Sequence, residues 1–392
     1  PQDRLRCLHL AGTNGKGSVG AMIKSVLDQA GYRIGFYTSP HLISFRERFV
    51  IGPDMISERD VARLTEMVKG VCSSDEPPTF FEIVTAMAIE YLTENQVDLA
   101  IMETGLGGRL DATNVIKPLA AVITNISLDH TQHLGRTLAQ IAREKAGIIK
   151  PNLPVVTGEK RKALREIFRQ KAESLGGRLL VLGRDFTVRS RERGVFDYRG
   201  LKMNFEGLEL SLAGSHQVQN AGLALAALEV TADHGYRASE RDIRLGLKST
   251  VWPGRGEVFP GPPRIMLDGA HNPAAARVLG QFLRELKYNR LHLVLGVMAD
   301  KDIPRLMAPL LGSAQALYLC RPQYFRAAST RVLAGLARGF TGPVAEYPTV
   351  GEAVEAAKAE AGPEDLILVT GSLFTVGEAR AYLTGLRSDP PA

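Results

Sequence analysis

The chain has 392 residues, more than a single compact core accommodates, and this length suits two domains. Its composition, 45% hydrophobic and 23% charged, is typical of a globular protein. No apolar run approaches the roughly 18 residues that a membrane-spanning helix needs, so we expect no membrane partner. Much of the net charge of +6 lies between Lys160 and Arg193, where aromatic residues are not interleaved as nucleic-acid binding requires, so we expect no nucleic-acid partner.

The cysteines and the two ends of the chain carry further indications. Cys7, Cys72 and Cys320 have neither the spacing of disulfide pairs nor that of a metal site, which favours a protein of the reducing cytoplasm. The first residue is Pro1 rather than Met and a strand follows almost at once, so we expect the natural protein to extend upstream. Residues 388–392 are expected to form a frayed tail.

Strands alternate with helices from residue 1 to about 250, which predicts a mostly parallel sheet. Thr79 and Glu82 have the spacing of a capping box and predict a helix that runs to about Leu92. The short β-rich runs that we expect to be strands are 5–10, 33–38, 97–102 and 120–124.

Residues 181–212 change character, because short alternating segments separated by Gly turns predict a small antiparallel side sheet. A helix is then expected to begin near Asn220, whose side chain would cap it. The segment 252–263 is dense in Pro and Gly, and we predict that it links a first domain, 1–251, to a second, 264–392. The strands expected in the second, smaller doubly wound α/β domain lie near 264–268, 291–297, 316–320 and 366–370.

A glycine-rich segment, Gly12-Thr13-Asn14-Gly15-Lys16-Gly17-Ser18, lies between the first strand and its helix, where a phosphate-binding loop belongs. Glycines let backbone N–H groups face a polyphosphate, Lys16 can reach its outer phosphates, and Ser18 can face a metal. The spacing departs from the common G-x-x-x-x-G-K-[ST] pattern, since Leu10 occupies the first glycine position and Gly17 precedes Ser18. A glycine-rich turn without a ligand is the plainer alternative.

This loop resembles the nucleotide loop of the folylpolyglutamate synthase/dihydrofolate synthase family, which is related to the muramyl ligases. Each further matching motif is modest alone, but together and in this order they are specific. The segments that resemble family motifs are 38–42, 103–114, 125–130, 143–147, 216–220, 252–255 and 268–273. The resemblance implies an ATP-dependent ligase that adds L-glutamate to a folate or pteroate substrate through an acyl phosphate. It also implies a phosphate-loop NTPase-like domain, a smaller Rossmann-like domain and a monomer.

The resemblance implies that Ser39, Glu103 and His130 hold Mg²⁺. Glu103 ends an apolar strand at the edge where open α/β sheets bind ligands, and a carboxylate is a natural magnesium ligand. A single Glu or His after a strand is, however, usually only a hydrogen-bonded loop residue. Lys145 ends a predicted helix over 137–146, where a cation complements the helix dipole. The family instead implies that Lys145 carries CO2 as a carbamate.

Other roles come from the resemblance residue by residue. Residues 13–18 would bind ATP, with Asn220 at the adenine, Arg255 at the phosphates and Asp268 at the ribose, while His271 would lie on the glutamate side and act in catalysis. An Asp-Gly turn is the plainer explanation of Asp268, as a capping box is of Thr79 and Glu82. The residues expected on the substrate side are Thr79, Phe80, Phe81, Glu82, Leu110 and Ser372.

Three alternatives remain open at this point. A muramyl ligase would perform the same chemistry on a nucleotide-linked peptide, although the motifs 38–42 and 268–273 argue against it. A phosphate-loop kinase or GTPase switch would leave the second domain unexplained. A non-catalytic nucleotide-binding module is disfavoured because the phosphate and metal residues are all present. The residues do not distinguish dihydropteroate from reduced folates as the preferred acceptor.

Overall fold

A computed structural model describes residues 1–72, 76–192 and 194–389. The chain divides into two units, of which the first comprises Pro1–His41, Arg46–Ser211 and Ser215–Val251. The second comprises Leu42–Phe45, Leu212–Gly214 and the chain from Trp252 onward. Throughout the described ranges, every helix is too short or too polar to cross a membrane.

The first unit is built on an eight-stranded sheet. Its strands are β1 Cys7–Ala11, β2 Ile34–Tyr37, β3 Phe49–Ile51, β4 Asp54–Met55, β5 Leu99–Glu103, β6 Ala120–Ile123, β7 Pro154–Thr157 and β8 Arg178–Val181. Their order is β4-β3-β2-β5-β1-β6-β7-β8, and all neighbours are parallel except at β3 and β4. Every residue of β1, β2, β5 and β6 is buried, which explains why these strands, apart from His9 and Glu103, are apolar rather than alternating.

The helices of the first unit are α1 Lys16–Gln29, α2 Glu58–Val71, α3 Phe80–Glu94, α4 Thr131–Leu134, α5 Leu138–Lys145, α6 Lys162–Ser174, α7 Ser215–Ala232 and α8 Glu240–Ser249. The capping box is confirmed, because Thr79 and Glu82 bond each other's backbone N–H groups at the start of α3. The expected start near Asn220 is wrong. Helix α7 begins five residues earlier, directly after Gly214, so Asn220 lies inside the helix and does not cap it.

The predicted antiparallel side sheet is confirmed. It consists of β9 Thr187–Glu192, β10 Val195–Arg199 and β11 Asn204–Glu209, in the order β11-β10-β9. Glu229 of α7 holds the turn between β10 and β11 against its helix, since its buried carboxylate accepts the backbone N–H groups of Leu201, Lys202 and Met203. Burial raises the pKa of Glu229, whereas these three donors oppose that rise.

The second unit has its own six-stranded sheet. Its strands are β12 Arg255–Phe259, β13 Arg264–Asp268, β14 Leu291–Leu295, β15 Ala316–Cys320, β16 Val344–Tyr347 and β17 Leu366–Thr370. Its helices are α9 Pro273–Glu285, α10 Ile303–Leu311, α11 Thr330–Leu336, α12 Val350–Glu360 and α13 Leu373–Thr384. The strand order is β12-β13-β17-β14-β15-β16, and only β12 is antiparallel to its neighbour.

Helices cover both faces of this second sheet. Leu293 packs on one face with Leu283 of α9 and Leu306 of α10, and its neighbour Val294 packs on the other with Val354 of α12. Successive strand residues point to opposite faces, so both faces of β14 are buried. The expected fold class, two α/β units with mostly parallel sheets and a small antiparallel sheet, is confirmed.

Two segments differ from the sequence-based expectation. The predicted linker 252–263 contains β12, because the Pro and Gly residues at its end form the turn that pairs β12 with β13. The predicted frayed tail is anchored at Asp389, whose carboxylate accepts Ser44 Oγ at 2.9 Å and the N–H of Phe45 at 2.6 Å. Residues 390–392 of that tail lie outside the described residues.

Candidate functional site

The carboxyl ends of four neighbouring parallel strands meet at one edge of the first sheet. Leu10 of β1 pairs with Glu103 of β5, Tyr37 of β2 pairs with Met102, and Ala11 pairs with Ile123 of β6. The segments that follow these strands therefore emerge side by side. The edge gathers the loop 12–18, Ser39, Glu103 and the segment 124–130, which is where an open α/β sheet binds its ligand.

Two glycines shape the loop after β1. Gly12 has φ +147°, and a Cβ atom there would lie 1.8 Å from Thr124 Oγ1. Gly15 is the residue before α1 with φ +87°, and its Cβ would lie 2.7 Å from Asn220 Oδ1. Any larger residue at either position would clash with a neighbouring side chain. The loop thus brings its backbone and the N-terminus of the 14-residue helix α1 to the sheet edge, as a polyphosphate site requires.

The end of β6 fixes the loop from the other side. The N–H of Thr13 donates to Asn125 O at 2.9 Å, and Thr124 Oγ1 donates to Asn14 O at 2.7 Å. Asn125 Nδ2 also donates to Asn14 O at 2.9 Å, while the N–H of Ser127 donates to Thr13 Oγ1 at 3.0 Å. These bonds between distant segments hold the loop in place, so its shape does not depend on its own residues alone.

Lys16 lies between a loop carbonyl and a buried carboxylate. Its Nζ donates to Gly12 O at 3.1 Å and is 3.7 Å from Glu103 Oε1. The other carboxylate oxygen, Oε2, accepts a hydrogen bond from Thr38 Oγ1. Glu103 is 5% exposed and Thr38 is 4% exposed, so this charged group is held almost out of water. The arrangement places a lysine and a carboxylate where phosphate and metal would bind.

Lys145 reaches the same loop carbonyl from the end of α5. Its Nζ donates to Gly12 O at 2.9 Å, although the two residues are 133 positions apart. Burial and, to a lesser extent, the positive charge of Lys16 together lower the pKa of Lys145 to about 7, while Asp129 and Asp111 oppose both effects. The side chain therefore points into the site rather than along its own helix, and a large fraction of the amine is neutral near pH 7.

Asp111 is a buried group that the sequence did not single out, although it belongs to the motif 103–114. Its Oδ2 accepts the N–H of Leu106 at 2.7 Å, and its Oδ1 accepts the N–H of Thr113 at 3.0 Å. Thr113 Oγ1 also contacts His9 Nε2 at 2.8 Å in the core of β1. Burial lowers the pKa of His9 to about 3, so this imidazole is neutral. These contacts fix the loop after β5.

The predicted metal residues lie at the shared edge but differ in exposure. Ser39 follows β2 and is half-buried, Glu103 is buried, and the side chain of His130 is 39% exposed. His130 adopts a left-handed backbone with φ +49°, and its N–H donates to Asp129 Oδ1 at 2.9 Å. Within residues 1–72, 76–192 and 194–389, no three His, Cys, Asp or Glu side chains form a metal-binding group, and the predicted set contains only two such residues.

Two buried amide side chains of helix α7 lie beside the first turn of α1. Gln217 Nε2 donates to Ser18 Oγ at 3.3 Å, and Asn220 Nδ2 donates to Gln217 Oε1 at 2.8 Å. Asn220 thus lies against the loop, as its place among the candidate residues requires. Sequence reasoning missed Gln217 because the predicted helix began only near Asn220, and its place inside the motif 216–220 was the available signal.

Of the residues expected on the substrate side, some hold the fold together and others are exposed to solvent. The ring of Phe81 packs against Gly105, where a Cβ atom would lie 2.4 Å from Phe81 Cζ. Phe80 is 49% exposed, with the guanidinium of Arg48 lying 5.6 Å from its ring centroid, and Leu110 is 79% exposed. Phe80 and Leu110 therefore present apolar surface, whereas Thr79 and Glu82 form the cap of α3.

The second unit gathers its candidate residues at the carboxyl edge of its own sheet. Asp268 accepts the N–H of Gly256 through Oδ2 and that of Ala270 through Oδ1, both at 3.0 Å. Arg255 pairs with Asp268 across β12 and β13, and its Nη1 fills the space beside Gly269.

His271 and Ser372 occupy the same edge. The Nδ1 of His271 lies 2.9 Å from Gly269 O. Ser372 is 2% exposed and caps α13, since its Oγ accepts the N–H of Thr375 at 3.0 Å. The N–H of Gly371 donates to Ala270 O at 3.2 Å, which joins the two loops after β13 and β17.

Two family matches divide the chain. Residues 10–228 match the Mur ligase middle domain, and residues 254–373 match the Mur ligase glutamate ligase domain. Among curated relatives, the Bacillus subtilis dihydrofolate synthase/folylpolyglutamate synthase is 35% identical over 98% of this chain and 91% of its own length.

Another curated relative is much longer. The probable bifunctional folylpolyglutamate synthase/dihydropteroate synthase of Haloferax volcanii is 35% identical over 98% of this chain, yet the chain spans only 47% of it. The chain therefore spans about half the length of this curated relative and of its Halobacterium salinarum counterpart.

Solved structures are similar over almost the whole chain. Escherichia coli FolC in complex with DHPP and ADP has a TM-score of 0.91 at 32% identity, and the match covers 98% of this chain and 90% of FolC. A bifunctional folylpolyglutamate synthase/dihydrofolate synthase with Mn, AMPPNP and L-glutamate bound has a TM-score of 0.87 at 31% identity, with 98% and 90% covered. The fold and the order of its parts are thus those of these proteins.

Proposed function

The chain belongs to the folylpolyglutamate synthase/dihydrofolate synthase family of Mur-type ligases, and we propose that it is an ATP-dependent ligase that joins L-glutamate to a folate-type carboxylate. The observation that carries this proposal is the meeting of Lys16 and Lys145 at one carbonyl of a glycine-shaped loop, with Glu103 beside Lys16. The ADP, AMPPNP and L-glutamate bound to the solved relatives support a nucleotide and an amino acid as its co-substrates.

The proposed reaction has two steps. A carboxylate oxygen of the folate-type substrate attacks the γ-phosphorus of ATP, the bond to ADP breaks, and an acyl phosphate forms. The amino nitrogen of glutamate, having lost a proton, then attacks the acyl carbon, the C–N bond forms, and phosphate leaves. Lys16 offsets negative charge on the transferring phosphoryl group, and exclusion of water protects the acyl phosphate from hydrolysis.

We assign the nucleotide to residues 13–18 and the N-terminus of α1. Gly12 and Gly15 support this assignment, because they let Thr124 and Asn220 pack directly against the loop and hold its backbone at the sheet edge. By the family resemblance, Asn220 would contact the adenine, Arg255 the phosphates and Asp268 the ribose. The contact of Asn220 with Gly15 supports the first of these roles.

Magnesium would be held by Ser39, Glu103 and His130. A buried carboxylate at a sheet edge, with a lysine as its counter-ion, suits a hard cation that accompanies a polyphosphate. When bound, Mg²⁺ supplies charge neutralisation to the phosphoryl oxygens. The manganese in a solved relative is consistent with a divalent ion in such a site.

We propose that Lys145 carries a carbamate. Its ammonium would first lose one proton; the neutral amine would then attack the carbon of CO2, form an N–C bond as a C–O π bond opens, and release a second proton, which leaves an anion in place of a cation. A pKa of about 7 supports this, because the reactive neutral amine is abundant at neutral pH. Lys16 stands close enough to stabilise the negative product, since both lysines donate to Gly12 O.

The acceptor substrate would lie against the segment that includes Phe80, Phe81 and Leu110. The exposed surface of Phe80 and Leu110 supports an aromatic substrate such as a pterin, while Thr79 and Glu82 hold the start of α3 in position. On the second unit, His271 and Ser372 would lie on the glutamate side.

We further propose two domains, 1–251 for ATP and 264–392 for glutamate ligation, with the boundary inside 252–263. The family matches over 10–228 and 254–373 support this division. We also propose a cytoplasmic monomer, and three cysteines that are all free thiols support a reducing compartment.

Phosphate release by the purified chain tests the function. With ATP and Mg²⁺, we expect release only when glutamate is present together with dihydropteroate or a reduced folate, and a product heavier by one glutamyl residue. Comparing the two acceptors decides whether one or both are used. Release that needs a muramyl-type acceptor, or that needs no glutamate, would contradict the proposal.

A further inference from the structure

The pairing of β2 with β5 sets a hydroxyl beside the buried carboxylate of the first unit. Tyr37 pairs with Met102 in parallel register, so the next residues, Thr38 and Glu103, stand side by side at the strand ends. Thr38 Oγ1 donates to Glu103 Oε2, whereas Oε1 lies 3.7 Å from Lys16 Nζ. The two oxygens of one carboxylate therefore face different partners.

Thr38 itself is fixed. Its N–H donates to Arg48 O at 3.2 Å, and its side chain is 4% exposed. The preceding Tyr37 is fully buried, and its hydroxyl lies 3.2 Å from Thr85 Oγ1. A hydroxyl held in this way keeps Oε2 occupied and directs Oε1 toward Lys16. None of the roles assigned above uses Thr38.

We propose that Thr38 makes Glu103 a one-oxygen metal ligand and thereby sets the preference of the site for Mg²⁺ over Ca²⁺. The inference rests on the proposed magnesium role of Glu103. Mg²⁺ prefers six ligands at about 2.0–2.1 Å, and a carboxylate that offers one oxygen satisfies it. Ca²⁺ accepts six to eight oxygens at about 2.3–2.6 Å and readily takes both oxygens of a carboxylate. Thr38 is therefore a positioning residue that denies Ca²⁺ the second oxygen.

Calorimetric titration with AMPPNP tests this without turnover. The affinity for AMPPNP is measured with no metal, with Mg²⁺ and with Ca²⁺, for the wild type, Thr38→Val and Thr38→Ser. Loss of the hydroxyl in Thr38→Val should lower the ratio of Mg²⁺-supported to Ca²⁺-supported affinity by at least about tenfold, as for other residues that orient metal ligands. Metal-free affinity should not change. Thr38→Ser keeps the hydroxyl and should keep the ratio within about twofold.

Thr85→Val is the matched control, because it removes a second buried threonine hydroxyl next to Tyr37 without touching Glu103. Its ratio should equal that of the wild type. Melting curves establish that each variant is folded, and Thr38→Ala takes the place of Thr38→Val if the latter is not.

Two results would overturn the inference. Equal losses of affinity with both metals in Thr38→Val would leave the proposed metal site standing and show that Thr38 only packs. A wild type whose affinity responds to neither metal would overturn the proposed magnesium site as well. The two failures are therefore distinguishable.

Discussion

The carboxyl edges of the two sheets are built in different ways. In the first unit, the polar groups are joined across long stretches of chain: Lys145 bonds a carbonyl 133 residues away, and Thr38 bonds a carboxylate 65 residues away. In the second unit, Asp268 and Ser372 bond N–H groups 12 and 3 residues away. The candidate side chains of the first edge are thus held by distant segments, and those of the second by nearby turns and caps.

This difference predicts how each side chain affects the stability of the fold as well as the activity. A buried lysine whose pKa is lowered by burial and by a neighbouring cation destabilises the fold that holds it. A serine that caps a helix stabilises its fold. We therefore expect substitutions at the first edge to remove activity without loss of stability, and substitutions at the second edge to affect both.

The largest effect is expected at Lys16. Lys16→Ala should lower ligation by about a thousandfold, because it removes the charge that faces the transferring phosphoryl group. The melting temperature should stay within a few degrees of the wild type. Lys24→Ala is the control, since Lys24 lies on the same helix and only pairs with Asp28 at 2.5 Å. Similar activities for the two variants would remove Lys16 from the site.

A smaller effect should separate Lys145 from an ordinary buried lysine. The pKa of about 7 lies below the usual lysine value, so the ammonium dominates at pH 6 and the neutral amine at pH 8. In protein first freed of CO2, the initial rate of carbamate formation should therefore rise about tenfold from pH 6 to pH 8 at equal dissolved CO2, because the neutral fraction of the amine rises by that factor. The measurements are ligation activity after bicarbonate is added and a ¹³C NMR signal from labelled bicarbonate.

Two variants test whether the response to CO2 comes from Lys145. Lys145→Ala should be inactive with or without bicarbonate, and a short-chain carboxylate should restore part of its activity. Lys150→Ala should respond to bicarbonate like the wild type, although Lys150 also donates to a carbonyl, Asn114 O at 2.8 Å. A wild type that is fully active without CO2 and yields no carbamate signal would contradict the proposed modification.

The smallest effect is expected at the second edge. Ser372→Ala removes the cap of α13 and should lower stability by about 1 kcal/mol, seen as a lower melting temperature. It should also raise KM for glutamate. Ser329→Ala removes the cap of α11 in the same unit and should lower stability without changing that KM. Equal glutamate KM values in both variants would confine Ser372 to a capping role.

Sequence alone predicted what short-range signals determine. The Thr79–Glu82 capping box and the apolar strands are set by neighbours in sequence, and the glycine loop is recognisable by its composition; the structure contains each of them. The start of α7 was wrong because Asn220 is a good cap by type, yet it is used against Gly15 instead. The segment 252–263 has linker composition, but pairing with β13 makes part of it a strand.

The part of the site that the sequence did not predict depends on contacts between residues that are far apart in the chain. Glu103, Lys16 and Lys145 are candidates by motif, but the meeting of both lysines at Gly12 and the place of Glu103 beside Lys16 follow from strand register and from the direction of α5. Thr38, Asp111 and Gln217 stand inside recognised motifs, and nothing in their type distinguishes a positioning role. Only the bonds to Glu103, Leu106 and Ser18 identify them.

The anchoring of Asp389 has a consequence for synthesis on the ribosome. Its carboxylate bonds Ser44, 345 residues earlier, and its N–H bonds Ile43 O, so the second unit joins residues that are synthesised far apart in time. At a synthesis rate of about 5–20 residues per second, Asp389 is added roughly 17 to 70 s after residues 42–45. The first unit can complete its sheet during this interval. Nascent chains halted before residue 389 should therefore expose the 42–45 segment to proteases.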